Sequence, residues 1–251
     1  MLFRSNSSSA LFEEPENLLK QEVREPSLYN AIISAIASGA SKLSEISTKV
    51  GENSSTCTAY LKNLISLGLI HRETPYGEKN SKKTIYTVED NMFRFWYRFI
   101  PDNASLIVRG ASDLAYQRIR PQLSDYMGKI FEDICTQYLW QLLLNGKSPV
   151  FFKELGRWWG TDPATHAQTE IDIMGEQDKN TALFCECKWT NDLVDFGVLE
   201  LLVHRSQLFH YNSTHLFLFS KNGFTSGCTE MAEKLGNVTL VSYSDIYGSC
   251  Q

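Results

Sequence analysis

Two short strand-like runs, Glu170-Ile171-Asp172-Ile173-Met174 and Ala182-Leu183-Phe184-Cys185-Glu186-Cys187-Lys188-Trp189, carry charge inside otherwise apolar sequence. Successive side chains on a strand point to opposite faces. That alternation puts Glu170, Asp172 and Met174 on one face of the first run, and Glu186 and Lys188 on one face of the second. A hairpin of the two runs would bring the acids and the lysine together. Charged side chains are rarely buried without a partner or a metal, and hard carboxylate oxygens are the groups that bind a divalent cation.

The rest of the chain must supply a frame for these groups. With 251 residues it is long enough for one large domain or two small ones, each with a real core. A hydrophobic content of 43% against a charged fraction of 21% fits a globular protein, and no uninterrupted apolar stretch approaches the roughly 20 residues of a membrane helix. The polar, serine-rich start shows no secretory signal, so a cytoplasmic location and no membrane partner are expected. The 6 cysteines, Cys57, Cys135, Cys185, Cys187, Cys228 and Cys250, lack the CxxC pairs of zinc sites and read as reduced thiols. Cys185 and Cys187 share the strand face opposite Glu186 and Lys188 and read as small packing residues. A formal net charge of −5 excludes a uniformly basic surface for nucleic acid, while leaving room for local patches. No Ser/His/Asp or Cys/His set recurs with useful spacing, which leaves a small-molecule hydrolase without support.

Residues 1–25 read as a lead-in segment with too little apolar material for a core. From residue 26 to residue 90 the order becomes helix, helix, helix and hairpin. Leu28, Ile32, Ile33 and Ile36 recur at helical spacing up to Gly39. Ser41 and Ser44 are candidate N-caps of a second helix ending near Gly51. A third helix starts after Asn53 or Ser54, carries Tyr60, Leu61, Leu64 and Ile65, and breaks at Gly68. Residues 69–73 and 83–88 read as strands around a Gly/Asn/Lys/Ser loop. This is a winged helix-turn-helix order. Its third helix has one basic residue, Lys62, whereas Arg72, Lys79, Lys82 and Lys83 put positive charge in the wing. Two uses stand side by side, phosphate contact with DNA through these residues and docking of a protein partner. Residues 91–123 form an aromatic helical connector, with Phe93, Phe95, Trp96, Tyr97 and Phe99 as core and Arg94 and Arg98 marking a polar side.

Residues 124–251 alternate helix and strand. A long helix spans about 124–145 with Ile130, Phe131, Ile134, Tyr138, Leu139 and Leu142 inward. A strand is expected at 150–152, then the tryptophan pair Trp158 and Trp159, the two charged strands, a helix over 199–211, a strand over 214–220, a short helix over 229–235 and a last strand over 238–243. That order is α/β.

Glu132 on the long helix, Asp172 in one strand and Glu186-Cys187-Lys188 in the next resemble the PD-(D/E)XK nuclease superfamily, whose core is a helix, a mixed sheet and a second helix. Gln207-Leu208-Phe209-His210-Tyr211 is similar to the QxxxY element of some of its nucleases. A longer resemblance runs through Glu14-Pro15-Glu16-Asn17-Leu18-Leu19, Arg24-Glu25-Pro26-Ser27-Leu28-Tyr29, the Phe93 to Phe99 run, Gly128-Lys129-Ile130-Phe131-Glu132, Glu170-Ile171-Asp172 and Glu186-Cys187-Lys188-Trp189. Together these are similar to the C-terminal half of archaeal-type P-loop ATPases, in which an ATPase precedes a winged helix and a nuclease-like domain. No GxxxxGK[ST] occurs in this sequence, so nucleotide hydrolysis is not expected of it.

The resemblance implies a restriction-endonuclease-like α/β domain with a mixed central sheet and metal-dependent phosphodiester hydrolysis of DNA. It implies Asp172 as bridging ligand of Mg²⁺ or Mn²⁺, Glu186 as second ligand and Glu132 as an outer one. Lys188 would position or help deprotonate the attacking water, Glu170 would assist, and Gln207 and Tyr211 would orient substrate. Expected partners are DNA, an ATPase in trans or in a missing N-terminal domain, and a second copy of the chain. Taken singly, each residue has an ordinary reading: Glu186 and Lys188 as strand-edge surface, Glu132 beside Asp133 as a solvated helix position, Gln207 and Tyr211 as a surface pair. The competing reading of the whole is a DNA-binding or regulatory module without turnover.

Overall fold

Ile32, Ile33 and Ile36, spaced to fall on one side of a helix, are the buried stripe of α1 (Pro26–Ala37). In the computed structural model the described residues are 15, 19, 26–78 and 83–248; the expected lead-in segment lies outside them except for Pro15 and Leu19. α1 is followed by α2 (Leu43–Val50), α3 (Ser54–Ser66) and an antiparallel pair, β1 (Ile70–Glu73) and β2 (Ile85–Val88). Gly39 and Gly68 take the left-handed conformation that lets the chain turn out of α1 and α3. The serines proposed to cap α2 do not. The Glu45 carboxylate reaches back to the backbone N–H groups of Ser41 and Lys42, at 2.9 and 3.1 Å, and satisfies that helix start instead.

Asp90 caps α4 (Asn91–Phe99) by accepting from the Met92 and Phe93 amides. Phe93, Trp96 and Tyr97 then join the same apolar core as Ile32, Ile46, Leu61 and Leu64. Arg94 and Arg98 do more than mark a polar side, because both guanidinium groups turn back onto backbone carbonyls, Arg94 to Val88 and Arg98 to Ala37. Two short helices, α5 (Ala104–Val108) and α6 (Ser112–Ile119), complete this first unit, which takes in residues up to 121 apart from 75–79.

The second unit is formed by residues 122–251 together with 75–79. Its described part opens with α7 (Leu123–Leu144) and contains a five-stranded mixed sheet in the order β3 (Gly156–Thr161), β4 (Gln168–Glu176), β5 (Thr181–Lys188), β6 (Ser213–Ser220), β7 (Val238–Ser242). β3, β4 and β5 are antiparallel neighbours, and β5, β6 and β7 are parallel. Parallel neighbours need a crossover, which α8 (Phe196–Ser206), α9 (Ser226–Leu235) provide; α10 (Tyr243–Gly248) closes the described chain. Each sheet face is covered. Phe131, Cys135 and Leu139 of α7 pack on Ile173, Leu183, Cys185, Phe217 and Phe219, while α8 and α9 bring Leu199, Leu202, Cys228 and Ala232 against Ile171, Phe184, Leu216 and Leu218. Two covered faces explain why β5 and β6 read as nearly continuous apolar runs.

Two expected elements differ. Residues 150–152 are not a strand: Val150 and Phe152 are buried in an irregular segment, and the first strand is instead the tryptophan-bearing Gly156–Thr161. Its Gly-Arg-Trp-Trp-Gly sequence lacks alternation, so it gave no period-2 signal. The helix expected over 199–211 spans Phe196–Ser206 and ends before Gln207.

Phe131 is fully buried and its ring lies 5.1 Å from that of Trp189. Phe131→Ala is expected to cost this unit about 3–5 kcal/mol, measured by urea unfolding with tryptophan fluorescence as the probe. A loss below about 1 kcal/mol would show that α7 does not depend on this contact.

Candidate functional site

Asp172 sits where the β3–β4–β5 ladder is irregular. Gly156 pairs with Met174 and Trp158 with Ile171, so β4 advances three residues while β3 advances two. One extra residue in β4 is a β-bulge, a device that re-aims side chains. Its effect is visible in the packing, since Ile171 and Met174 both enter the core under α8 and α9 while Ile173 enters the core under α7. Strict alternation across Glu170, Asp172 and Met174 is therefore broken. The paired register of β4 with β5 runs as far as Ile173 opposite Cys185, and beyond it the Asp172 Oδ2 accepts the Cys187 amide at 2.8 Å. A side chain replaces a backbone carbonyl in that bond.

Asp172 is 8% exposed and Glu186 3%. Burial, then the charges of Glu186 and Glu132, push the Asp172 carboxyl up to about 7. The neighbouring acids are themselves held by cations. Glu186 accepts from Lys188 Nζ at 2.5 Å on one oxygen and from Arg205 Nη1 of α8 at 2.7 Å on the other. Glu132 Oε2 lies 2.6 Å from Lys129 Nζ and 3.6 Å from Arg157 Nε, and Arg157 Nη2 lies 3.2 Å from Glu170. Glu132 is thus a largely buried, ion-paired group rather than a solvated one. Burial lowers the pKa of Lys188, but Glu186 and Asp172 outweigh it and hold the ammonium above its usual value. Lys188 is a fixed positive charge here and a poor proton acceptor. Burial also pushes the Cys185 and Cys187 thiols well up, which agrees with their packing role.

The remaining expected site residues lie elsewhere. Gln207 caps the end of α8 outside the helix, so it and Tyr211 are not one helical turn apart. The Tyr211 hydroxyl donates to Glu176 and its ring packs on Phe184. It precedes the pairing of Thr181 with Ser213, at the opposite end of β5 from Cys187, some 20 Å away at the rise of a strand. Gln207, His210, Tyr211 and Asn237 border a cavity of about 480 Å³ whose walls include none of Glu132, Asp172, Glu186 or Lys188. In the first unit Lys62, Arg72 and Lys83 are exposed, with Arg72 3.3 Å from the Thr84 hydroxyl. Lys79 and Lys82 lie outside the described residues.

Sequence reasoning missed Arg157 and Arg205, which carry no motif signal; only folding brings α8 over Glu186. It also missed Asp162, whose buried carboxylate accepts from His204 at 2.8 Å and from the Ala164 amide. Those bonds hold the Asp162 carboxyl down at about 2. They tie the end of α8 to the β3–β4 turn.

The donor chemistry of Asp172, Glu186 and Glu132 fits a hard divalent cation: all oxygen, and one buried acid destabilised by two others. Yet among the described residues no group of three or more His, Cys, Asp or Glu is gathered closely enough to hold a metal ion. Glu186 and Glu132 are drawn onto their cations instead.

Asp172 binds its proton more tightly folded than unfolded, so its own contribution to folding stability is fully present below its unfolded pKa near 3.8 and is lost as pH rises through about 7. Asp172→Asn keeps an acceptor for the Cys187 amide and removes the charge. With EDTA present it is expected to flatten the urea stability profile across that window and to raise stability at pH 8, by up to about 4 kcal/mol. An unchanged profile would mean that Asp172 is not strained by its neighbours.

Comparison with known proteins gives the following. Residues 96–200 match the model of the DUF234 family, described as archaea bacterial proteins of unknown function. An uncharacterized protein of Methanocaldococcus jannaschii is 38% identical over 195 residues, covering 77% of this chain and 42% of that protein. This chain therefore spans less than half the length of that relative. A crystal structure of an O-methyltransferase (NcsB1) from neocarzinostatin biosynthesis, in complex with S-adenosyl-L-homocysteine, is similar at 13% identity over 86% of this chain and 64% of that one, with a TM-score of 0.22. That score is too low to relate the two folds. The stretch common to this chain and the family model runs from the aromatic helix α4 through Asp172 and Glu186 to the start of α8.

Proposed function

We propose that this chain hydrolyses phosphodiester bonds of DNA with a divalent metal, using a PD-(D/E)XK-like second unit targeted by a winged helix-turn-helix in the first. The observation that carries the reading is Asp172, a buried carboxylate on a bulged strand with two acids and a lysine beside it. A helix, a mixed sheet and crossover helices, with the acids on α7, β4 and β5, are the arrangement such a nuclease core uses. The winged-helix reading rests on three helices followed by an antiparallel pair, with Lys62, Arg72 and Lys83 exposed. The longer relative is consistent with a further domain, and an ATPase half acting in the same or another chain is part of the proposal.

Asp172 and Glu186 would hold Mg²⁺ or Mn²⁺ with Glu132 outside them, and the bound ion would supply positive charge to the scissile phosphate and acidify a water. Lys188, kept cationic by two carboxylates, orients the attacking water and offsets charge on the phosphate oxygens; it does not act as base. Glu170 acts at one remove, by anchoring Arg157 beside Glu132. Gln207 and Tyr211 take no part at this site, because Tyr211 is committed to Glu176.

A second reading has its own support. Both Glu186 oxygens are occupied by protein cations, as expected of a repurposed module that binds DNA or a partner without turnover.

Cleavage of plasmid and single-stranded DNA with Mg²⁺ or Mn²⁺ separates the two. The wild-type protein is expected to cut, and Asp172→Ala to be slower by at least about 100-fold. Equal background cutting by both proteins would leave only the binding module.

Duplex binding through Lys62, Arg72 and the wing lysines is expected to weaken steeply with salt, with log K falling by about 0.9 per phosphate neutralised for each log unit of salt. Binding that is absent or insensitive to salt would assign the first unit to protein docking.

A further inference from the structure

Gln207 and Tyr211 have no role beside the acids, yet they border a concavity of their own. It lies within the second unit, between the end of α8, the start of β6 and the end of α9, and its volume of about 480 Å³ suits a small ligand. Val203, Leu216 and Leu235 supply its apolar surface, and Phe209 and Tyr211 add aromatic rings tilted 28° from one another. Its polar surface is neutral. Gln207, His210, Asn212, Thr214 and Asn237 border it, and among the described residues no Lys, Arg, Asp or Glu does. Two of the amides are held by the fold: Asn237 Nδ2 donates to the Thr214 carbonyl at 2.9 Å, and Asn212 Nδ2 to Asn180 at 3.1 Å. The Gln207 amide and the His210 imidazole are exposed and have no side-chain partner among the described residues.

That surface selects by charge and by shape. A charged ligand would find no counter-ion there, and a purely apolar one would leave donors and acceptors unmatched. A carboxamide presents a donor and an acceptor side by side, the pattern that pairs with the edge of adenine. Apolar and aromatic side chains are the surfaces that hold the faces of an unpaired base. We propose that this cavity binds an uncharged nucleobase, with the Gln207 amide pairing to the base edge and Val203, Phe209 and Leu235 against the ring. The base arrives as a free nucleoside or as an unpaired base of a single strand. The inference stands apart from hydrolysis at Asp172 and needs no metal.

The test is equilibrium binding by the full chain in EDTA. Adenosine is titrated by calorimetry, and a labelled oligodeoxyadenylate and an abasic strand of equal length are titrated by fluorescence anisotropy. Gln207→Ala removes an exposed amide that the fold does not use, and is expected to weaken binding of adenine about tenfold. Leu235→Trp narrows the cavity from its exposed edge and is expected to weaken it at least about tenfold. Adenosine binding that both variants weaken assigns a nucleoside site. Binding of oligodeoxyadenylate without adenosine, with the abasic strand at least about tenfold weaker, assigns an unpaired base of a strand. Absence of adenosine binding together with equal affinity for the two strands would overturn the proposal. An affinity for adenine that Gln207→Ala leaves unchanged would overturn the pairing, and one that Leu235→Trp leaves unchanged would overturn the cavity as its site. Asp172→Ala is expected to bind adenine as wild type does, so failure of the hydrolytic reading and failure of this one are separate results.

Discussion

One carboxylate that cannot comfortably be charged organises this molecule. Asp172 lies in the interior of a sheet covered on both faces, accepts one backbone amide, and meets the fields of Glu186 and Glu132. A buried acid among acids is destabilising. The fold meets that strain with basic side chains from separate elements: Lys129 on α7, Arg157 on β3, Lys188 on β5 and Arg205 on α8. None of them bonds to Asp172 directly; they compensate its neighbours. The result is a cluster in which acids and bases are paired around one acid left over.

The bulge in β4 makes this possible. A regular strand would have sent Ile171 and Ile173 into the same core, with Asp172 and Met174 together on the other face. The extra residue lets Ile171 and Met174 serve one core and Ile173 the other, and sets Asp172 where its side chain can complete the ladder at Cys187. An irregular ladder thus costs little packing, since each apolar residue near it still reaches a core. Gly175, next along β4, is closely surrounded: a Cβ there would lie 2.7 Å from the end of the Leu155 side chain and 3.2 Å from the Glu154 carbonyl.

The two units divide the physical work differently. The first is a small helical core closed by aromatic residues of α4, whose arginines spend their donors on carbonyls of β2 and α1. The second is a sheet with two crossover helices, and its buried polar residues are Asp162, Asp172, Glu186, Ser206 and Ser220 among the described residues. The family model matches residues of both units, from within α4 to the start of α8.

Much of this was legible in the sequence. Helical spacing gave α1, α3 and α7 to within a residue or two, because their apolar stripes face a single core. The charged runs gave β4 and β5 and marked Asp172, Glu186 and Lys188, because charge inside apolar strands is rare enough to stand out. Local pattern failed where local pattern does not decide. β3 has no alternation, Val150 and Phe152 are buried without being a strand, and α8 stops at Ser206 although the apolar residues beyond it continue. The order of residues in the two charged runs by itself determined that charged groups would gather within an apolar sheet. Only the tertiary structure decided which partners they found, since Arg157 and Arg205 reach Glu132 and Glu186 through contacts between elements, and no periodicity along the chain encodes such distances.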